Sequence, residues 1–203
     1  MAGWTTHAGL AVALPLANID TDQLIPARFM LVPRADGYGQ YLLHDLRSHA
    51  DGTLKEDCAL NAHADASILI AGDNFGSGSS REAAVYALVD AGFRAVIAPG
   101  FGDIFASNAV NNGLLPARIG AADYDALIDQ LGGGTVRASV DLEAGRIALG
   151  ETIVTFVLDE SWRIKLINGW DDIDLTQQHR NSIDTFKDHR RRTAAWAWPA
   201  AVE

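Results

Sequence analysis

Apolar and polar positions change rhythm twice along this chain. Between residues 66 and 131 the rhythm is strict. Apolar runs at 66–71, 93–98 and 114–119 alternate with stretches of helical spacing at 80–91, 102–111 and 121–131. The first run predicts a short buried strand over 67–70. In the stretch after it, Ala84, Val85, Leu88 and Val89 mark one face of a helix, and Gly92 supplies its stop. A strand, a helix and a second strand ended by Pro99-Gly100 make a βαβ unit, so the strands should be parallel with a right-handed crossover.

Before residue 66 the pattern is looser. Residues 9–16 read as a strand ended by Pro15 and Asn18, and 18–26 as a polar, ordered loop with two apolar anchors. Residues 27–32 fit neither period, 34–39 carry two breakers, 41–49 look helical, and 51–65 are polar and irregular. After the glycines at 132–134 the period shortens. Residues 135–142, 146–149 and 152–157 alternate as strands, with Glu143-Ala-Gly145 as a hairpin turn. A helix over 160–167 ends at Asn168-Gly169, and a last helix over 175–192 is charged on most faces. The pattern defines an α/β chain with a parallel βαβ core and additional antiparallel strands. It reads as one domain over 1–203 with a helical tail from about residue 160. Trp196-Ala-Trp198 reads either as a clamp on the core or as a sticky patch for a partner.

Composition narrows the function classes. At 203 residues and 48% apolar content the chain can bury a full core. No apolar run reaches the length of a membrane span, and the N-terminus lacks the order of a signal peptide. The formal net charge of −10 argues against nucleic acid as a partner. Arg190-Arg191-Arg192, the basic run, reads as a solvated helix end. One cysteine, Cys58, leaves no internal disulfide framework, and a cytoplasmic location is expected. An iron–sulfur cluster needs three or four thiolates, more than this chain supplies, and no metal site is expected in it.

The candidate chemistry sits at Gly72-Asp-Asn-Phe-Gly-Ser-Gly-Ser-Ser-Arg-Glu82. A glycine-rich turn between a strand and a helix start gathers backbone N–H groups suited to an anion. A phosphate loop of the Walker type would need a lysine after its last glycine, and Ser79 follows Gly78. A dinucleotide fingerprint would need glycine where Arg81 stands. G-x-S-x-G is absent, and the histidines lie far from the turn in sequence, so a serine-hydrolase triad is unsupported. A carboxylate site fits best. Arg81 can bind one carboxylate through two hydrogen bonds, Ser80 can add another, and Ser79 is left beside the bound anion. Positive potential would favour the Ser79 alkoxide, which could take a proton next to a carboxylate. The structural alternative is that Ser79 caps the helix and closes a capping box with Glu82. A residue can do both. A phosphate-binding module at the same helix start is a weaker alternative.

This stretch resembles the signature of the aconitase swivel-domain family, and most closely that of the small subunits of isopropylmalate-type dehydratases. Asn18-Ile-Asp-Thr-Asp-Gln-Leu-Ile-Pro26 is similar to the family's N-terminal motif. Phe93-Arg-Ala-Val-Ile-Ala-Pro-Gly-Phe-Gly-Asp-Ile-Phe105 and Asn111-Asn-Gly-Leu-Leu-Pro116 are similar to its second block. The resemblance implies a swivelling β/β/α domain that interconverts 2- and 3-isopropylmalate by dehydration and rehydration in leucine biosynthesis. It implies a separate large subunit carrying a [4Fe-4S] cluster as Lewis acid, with activity in the pair alone and a hydroxy diacid as substrate. By the same resemblance Ser79 is the catalytic base, Ser80 and Arg81 bind substrate, and Asp22 is an active-site acid. Arg34 lies where the family places a second substrate arginine, or is an exposed loop residue. The chain departs from the family pattern at Ser77 for Cys, Ala83 for His, and Val85 and Tyr86 for Pro and Trp. These departures keep open a paralogue acting on another 2-hydroxy diacid of the citramalate kind, or a non-catalytic carboxylate-binding subunit.

Overall fold

The computed structural model describes residues 2–198. Its framework is one seven-stranded sheet in the order β4-β3-β2-β1-β5-β6-β7. Strands β1 (Thr6–Leu14), β2 (Ala66–Ala71), β3 (Ala95–Ala98) and β4 (Leu115–Arg118) run parallel. Strands β5 (Thr135–Asp141), β6 (Arg146–Leu149) and β7 (Thr152–Thr155) add antiparallel pairs, beginning against β1. The predicted mixed α/β class is the observed one.

The sheet is covered on both faces, which is why its parallel strands read as continuous apolar runs. Alternate residues divide between two cores. Val12, Leu69, Ala71, Val96 and Ala98 face one core, with Leu24, Leu60, Leu88 and Phe105. Ala11, Ile68, Ile70, Ala95 and Ile97 face the other, with Leu127, Leu131 and Leu166. On the first side lie the one-turn helices α1 (Thr21–Leu24), α2 (His44–Arg47) and α3 (Ala59–Ala62), then α4 (Ala83–Asp90) and most of α5 (Asp103–Asn111). On the second lie α6 (Ala121–Leu131) and α7 (Glu160–Asn168). Lys165, buried in α7, donates to Asn111 and Asp172, and so ties α7 to α5 and to α8 (Asp172–Gln177). That ammonium group holds the Asp172 carboxyl below the usual carboxylate range.

Several elements differ from expectation. The loop expected over 18–26 contains α1, started by a capping box in which Asp20 and Gln23 exchange side-chain and backbone bonds at 2.7 and 2.9 Å. The helix expected over 41–49 shrinks to α2, because Leu43 takes a left-handed conformation at φ 50° just before it. The irregular stretch 51–65 contains α3 and buries Leu60. The last helix breaks at Gln178 and His179 into α8 and α9 (Arg180–Thr193). Trp196 is 84% exposed and so clamps no core, whereas Trp198 lies under the Arg191 guanidinium at 5.0 Å. The end of the expected tail, 199–203, lies outside the described residues. Among the described residues, no helix is long and apolar enough to cross a membrane.

Gly76 is the tightest point of the loop after β2. Its φ is +72°, and a Cβ there would sit 2.2 Å from the Phe105 ring. Gly92, at φ +96°, would have a Cβ with nothing within 4 Å. Gly92→Ala should therefore cost only the left-handed backbone penalty, about 1–2 kcal/mol. Gly76→Ala should add an overpacking penalty of about 1–3 kcal/mol to that. Urea unfolding of the two variants checks the difference, and equal losses would contradict the packing around Gly76.

Candidate active site

Three segments leave the carboxyl ends of β1, β2 and β3, where open parallel sheets place their ligands. They are 18–22, 72–82 and 99–102. The middle one is laced to both neighbours through the backbone. On one side Asn18 N–H donates to Asp73 at 2.8 Å, Gly76 N–H to Ile19 at 2.7 Å and Thr21 N–H to Ser77 at 3.0 Å. On the other, Phe75 N–H donates to Gly100 at 3.0 Å and Gly102 N–H to Phe75 at 2.9 Å. Asn18 and Asn74 both take left-handed φ values of 58°, and their side chains bond each other at 2.9 Å. Beneath the loop, Phe75 is fully buried, edge-on to Phe101 and Phe105 at ring distances of 6.4 and 5.4 Å.

On this platform Ser79 and Ser80 are exposed in irregular backbone. Helix α4 begins only at Ala83, three residues later than the apolar spacing predicts. Ser79 is therefore not its cap, and the capping box with Glu82 does not form. Glu82 holds the cap position in helical backbone without a side-chain cap bond, and its carboxylate accepts from Asn112 at 2.8 Å. The reason is tertiary. Thr21 binds the carbonyls of both Ser77 and Ser79, and Gly78 between them has φ +92°, so the chain cannot turn into helix there. The helix start, with its outward N–H groups, thus falls beyond Arg81 rather than at the serines.

Arg81 donates to the carboxylate of Asp22, the second residue of α1. The arginine side chain is 26% exposed and the aspartate 56%. The structure thus brings Asp22, Ser79, Ser80 and Arg81 to one place. Arg34 makes its contacts elsewhere. Its guanidinium donates to both Asp90 oxygens at 2.7 and 2.9 Å and lies 4.4 Å from the Tyr86 ring centre. Asp90 also accepts from Tyr38 N–H at 2.7 Å. Asp90 is the last residue of α4, so Arg34 is held about 12 Å along that helix from the end that carries Arg81. Tyr86, one of the departures from the family pattern, is thus part of the Arg34 anchorage. Ala83, another, opens α4 and is partly buried.

A concavity of about 380 Å³ adjoins Asp22 and is lined by Asp20, Gln23, Asp45 and Leu46. It is acidic, although Arg28 bonds Asp45 and holds its carboxyl below the usual range. Such a wall does not attract a diacid. Among the described residues no three His, Cys, Asp or Glu side chains gather to hold a metal. The half-buried Cys58 is the one thiol, so the residues present do not fit an iron–sulfur cluster. The sequence reading passed over Thr21, whose signal, a polar residue between the two acids of the N-terminal motif, does not by itself say that it is buried.

A mixed sheet whose parallel strands present this loop at their carboxyl edge agrees in fold with the aconitase-type swivel domain that the sequence resembles. In agreement, residues 1–122 match the family described as "Aconitase C-terminal domain". The 3-isopropylmalate dehydratase small subunit of Gluconacetobacter diazotrophicus is 43% identical over 200 residues, covering 97% of each chain. That of Nitrobacter hamburgensis is 41% identical over 201 residues, 97% of this chain and 100% of the relative. A crystal structure of 3-isopropylmalate dehydratase from Methanocaldococcus jannaschii superposes with a TM-score of 0.64 at 25% identity, over 90% of this chain and 99% of the other. The chain belongs to the 3-isopropylmalate dehydratase small-subunit family.

The Asp22–Arg81 pair sits at the surface, where such pairs contribute about 0–1 kcal/mol. Asp22→Ala should therefore shift the urea midpoint little. A loss well above that range would mean that the pair supports the fold rather than the site.

Proposed function

We propose that this chain, acting as a single swivel domain, is the small subunit of a hydro-lyase that interconverts 2-isopropylmalate and 3-isopropylmalate in leucine biosynthesis. The observation that carries the reading is the exposed Ser79-Ser80-Arg81 run at the carboxyl edge of the parallel strands, in a chain 41–43% identical to named small subunits over nearly its whole length. The reading places the chain in the cytoplasm, with a large subunit as partner and a hydroxy diacid as ligand, and without a role for nucleic acid or membrane.

In this proposal Arg81, held by Asp22 through one nitrogen, offers its other donors to a substrate carboxylate, and Ser80 adds a hydroxyl. Ser79 is the base that removes the proton from the carbon beside that carboxylate. Serine is a weak base, so its alkoxide needs a cation nearby and little water. Arg81 supplies the cation. Exclusion of water requires a second surface over Ser79, which is exposed in the lone chain. Charge leads to the same requirement. A diacid brings two negative charges, whereas the Arg81 charge is offset by Asp22 and the adjoining wall is acidic. This chain alone is half a site. The group that receives the hydroxyl also lies outside it, because one thiol cannot carry the [4Fe-4S] cluster, which we assign to the large subunit.

The test is reconstitution. The chain alone should show no turnover, and the chain mixed with a large subunit should dehydrate isopropylmalate. Ser79→Ala should lower kcat by about 10²–10⁴-fold while the two chains still associate. Undiminished turnover by that variant would remove Ser79 as base. Ala83, a small residue beside the site, favours a second substrate reading, and faster turnover of citramalate than of isopropylmalate would establish it. A substrate role for Arg34 requires it to leave Asp90. In that case Arg34→Ala raises KM, and an unchanged KM confines Arg34 to its pair with Asp90.

A further inference from the structure

Among the described residues, no side chain or backbone group bonds the Ser79 hydroxyl. Whatever holds the main chain at residue 79 therefore sets the position of its Cβ, and with it the few places its staggered rotamers can put that oxygen. The hold comes from Thr21. This residue is 1% exposed, one of three polar or charged residues buried among the described residues, with Ser48 and Lys165. Its hydroxyl donates to the Ser79 carbonyl at 3.1 Å, and its backbone N–H donates to the Ser77 carbonyl at 3.0 Å. The two bonds straddle Gly78, whose left-handed φ of +92° would otherwise be a loose joint. A peptide pinned on both sides of its flexible residue has one orientation.

We infer that Thr21 is a positioning residue for the reaction, its buried hydroxyl fixing the backbone that presents Ser79. The inference rests on the proposed role of Ser79 as base. It separates the duties of two neighbours in α1. Asp22 grips the Arg81 guanidinium, and Thr21 grips the peptide of Ser79. One short helix thereby sets the spacing between the carboxylate clamp and the proton acceptor. A misplacement on the scale of 1 Å at a reacting atom is enough to lower a rate by about 10²-fold. A valine at position 21 has nearly the shape of threonine and lacks the donor, so it fills the same space while leaving the Ser79 carbonyl without that bond.

The experiment uses the assembled two-chain enzyme. Thr21→Val should lower kcat about 10–100-fold with KM within about twofold of the parent, because the Arg81 clamp is untouched. Thr21→Ser, which keeps the donor and drops a methyl group, should restore kcat to within about threefold. Should Thr21→Val fail to assemble, Thr21→Cys takes its place as a weak donor, with the same split expected. Parent-like kcat in the variant lacking the donor would overturn the inference. So would a rise in KM matching the loss in kcat, or failure of serine to rescue. Each of these outcomes is distinguishable from a failure of the Ser79 reading, which Ser79→Ala decides by itself.

Discussion

The candidate site depends on backbone pairing that continues past the end of the sheet. Beyond the last ladder residues of β1, β2 and β3, peptide groups go on bonding through residues 18–22, 72–77 and 100–102. Buried peptide groups need partners, and here each segment satisfies the next. The middle segment is held from both sides and, through Phe75, from below. This explains how a loop with glycines at 72, 76 and 78, a composition that favours disorder, has one conformation.

The same pairing decides what the loop can offer. By delaying α4 until Ala83 it withdraws the helix N-terminus from the serines. Side chains, rather than a ring of peptide N–H groups, then form the exposed face of the loop. A guanidinium is the suitable cation for that arrangement, since its planar fork can bond Asp22 and still present donors to a carboxylate. The acidic wall beside it and the exposure of Ser79 leave the site electrostatically incomplete, in keeping with a family named for one member of a pair.

Legibility in the sequence followed the range of the forces. The elements between 66 and 131 were readable because the period of each strand and helix is set by burial against the same sheet, and their ends by glycines at 92 and 113. The loop motif was readable by residue type and held three of the five candidate residues, Ser79, Ser80 and Arg81, and the fold brings a fourth, Asp22, to Arg81. What could not be read was decided by distant contacts. The start of α4 is set by Thr21, from a segment nearly sixty positions earlier, against a local capping pattern that favoured Ser79. The place of Arg34 is set by Asp90. The break at 178–179 was hidden because α9 buries none of its residues, so no apolar stripe marked its phase. The Asp20–Gln23 cap is different: its spacing was in the sequence, in a stretch whose polarity suggested a loop.

The lacing of 18–22, 72–82 and 99–102 also fixes when, during synthesis, a working loop can first exist. A ribosome that has released only the chain up to Glu82 has delivered every side chain of the proposed clamp and base, yet neither Gly100 nor Gly102 is available to close the far side. The Phe101 and Phe105 rings that floor the loop arrive with them. Until they emerge, the glycine-rich stretch has its tethers to 18–22 alone, and the nascent chain carries the right residues without the contacts that close the loop's far side and floor.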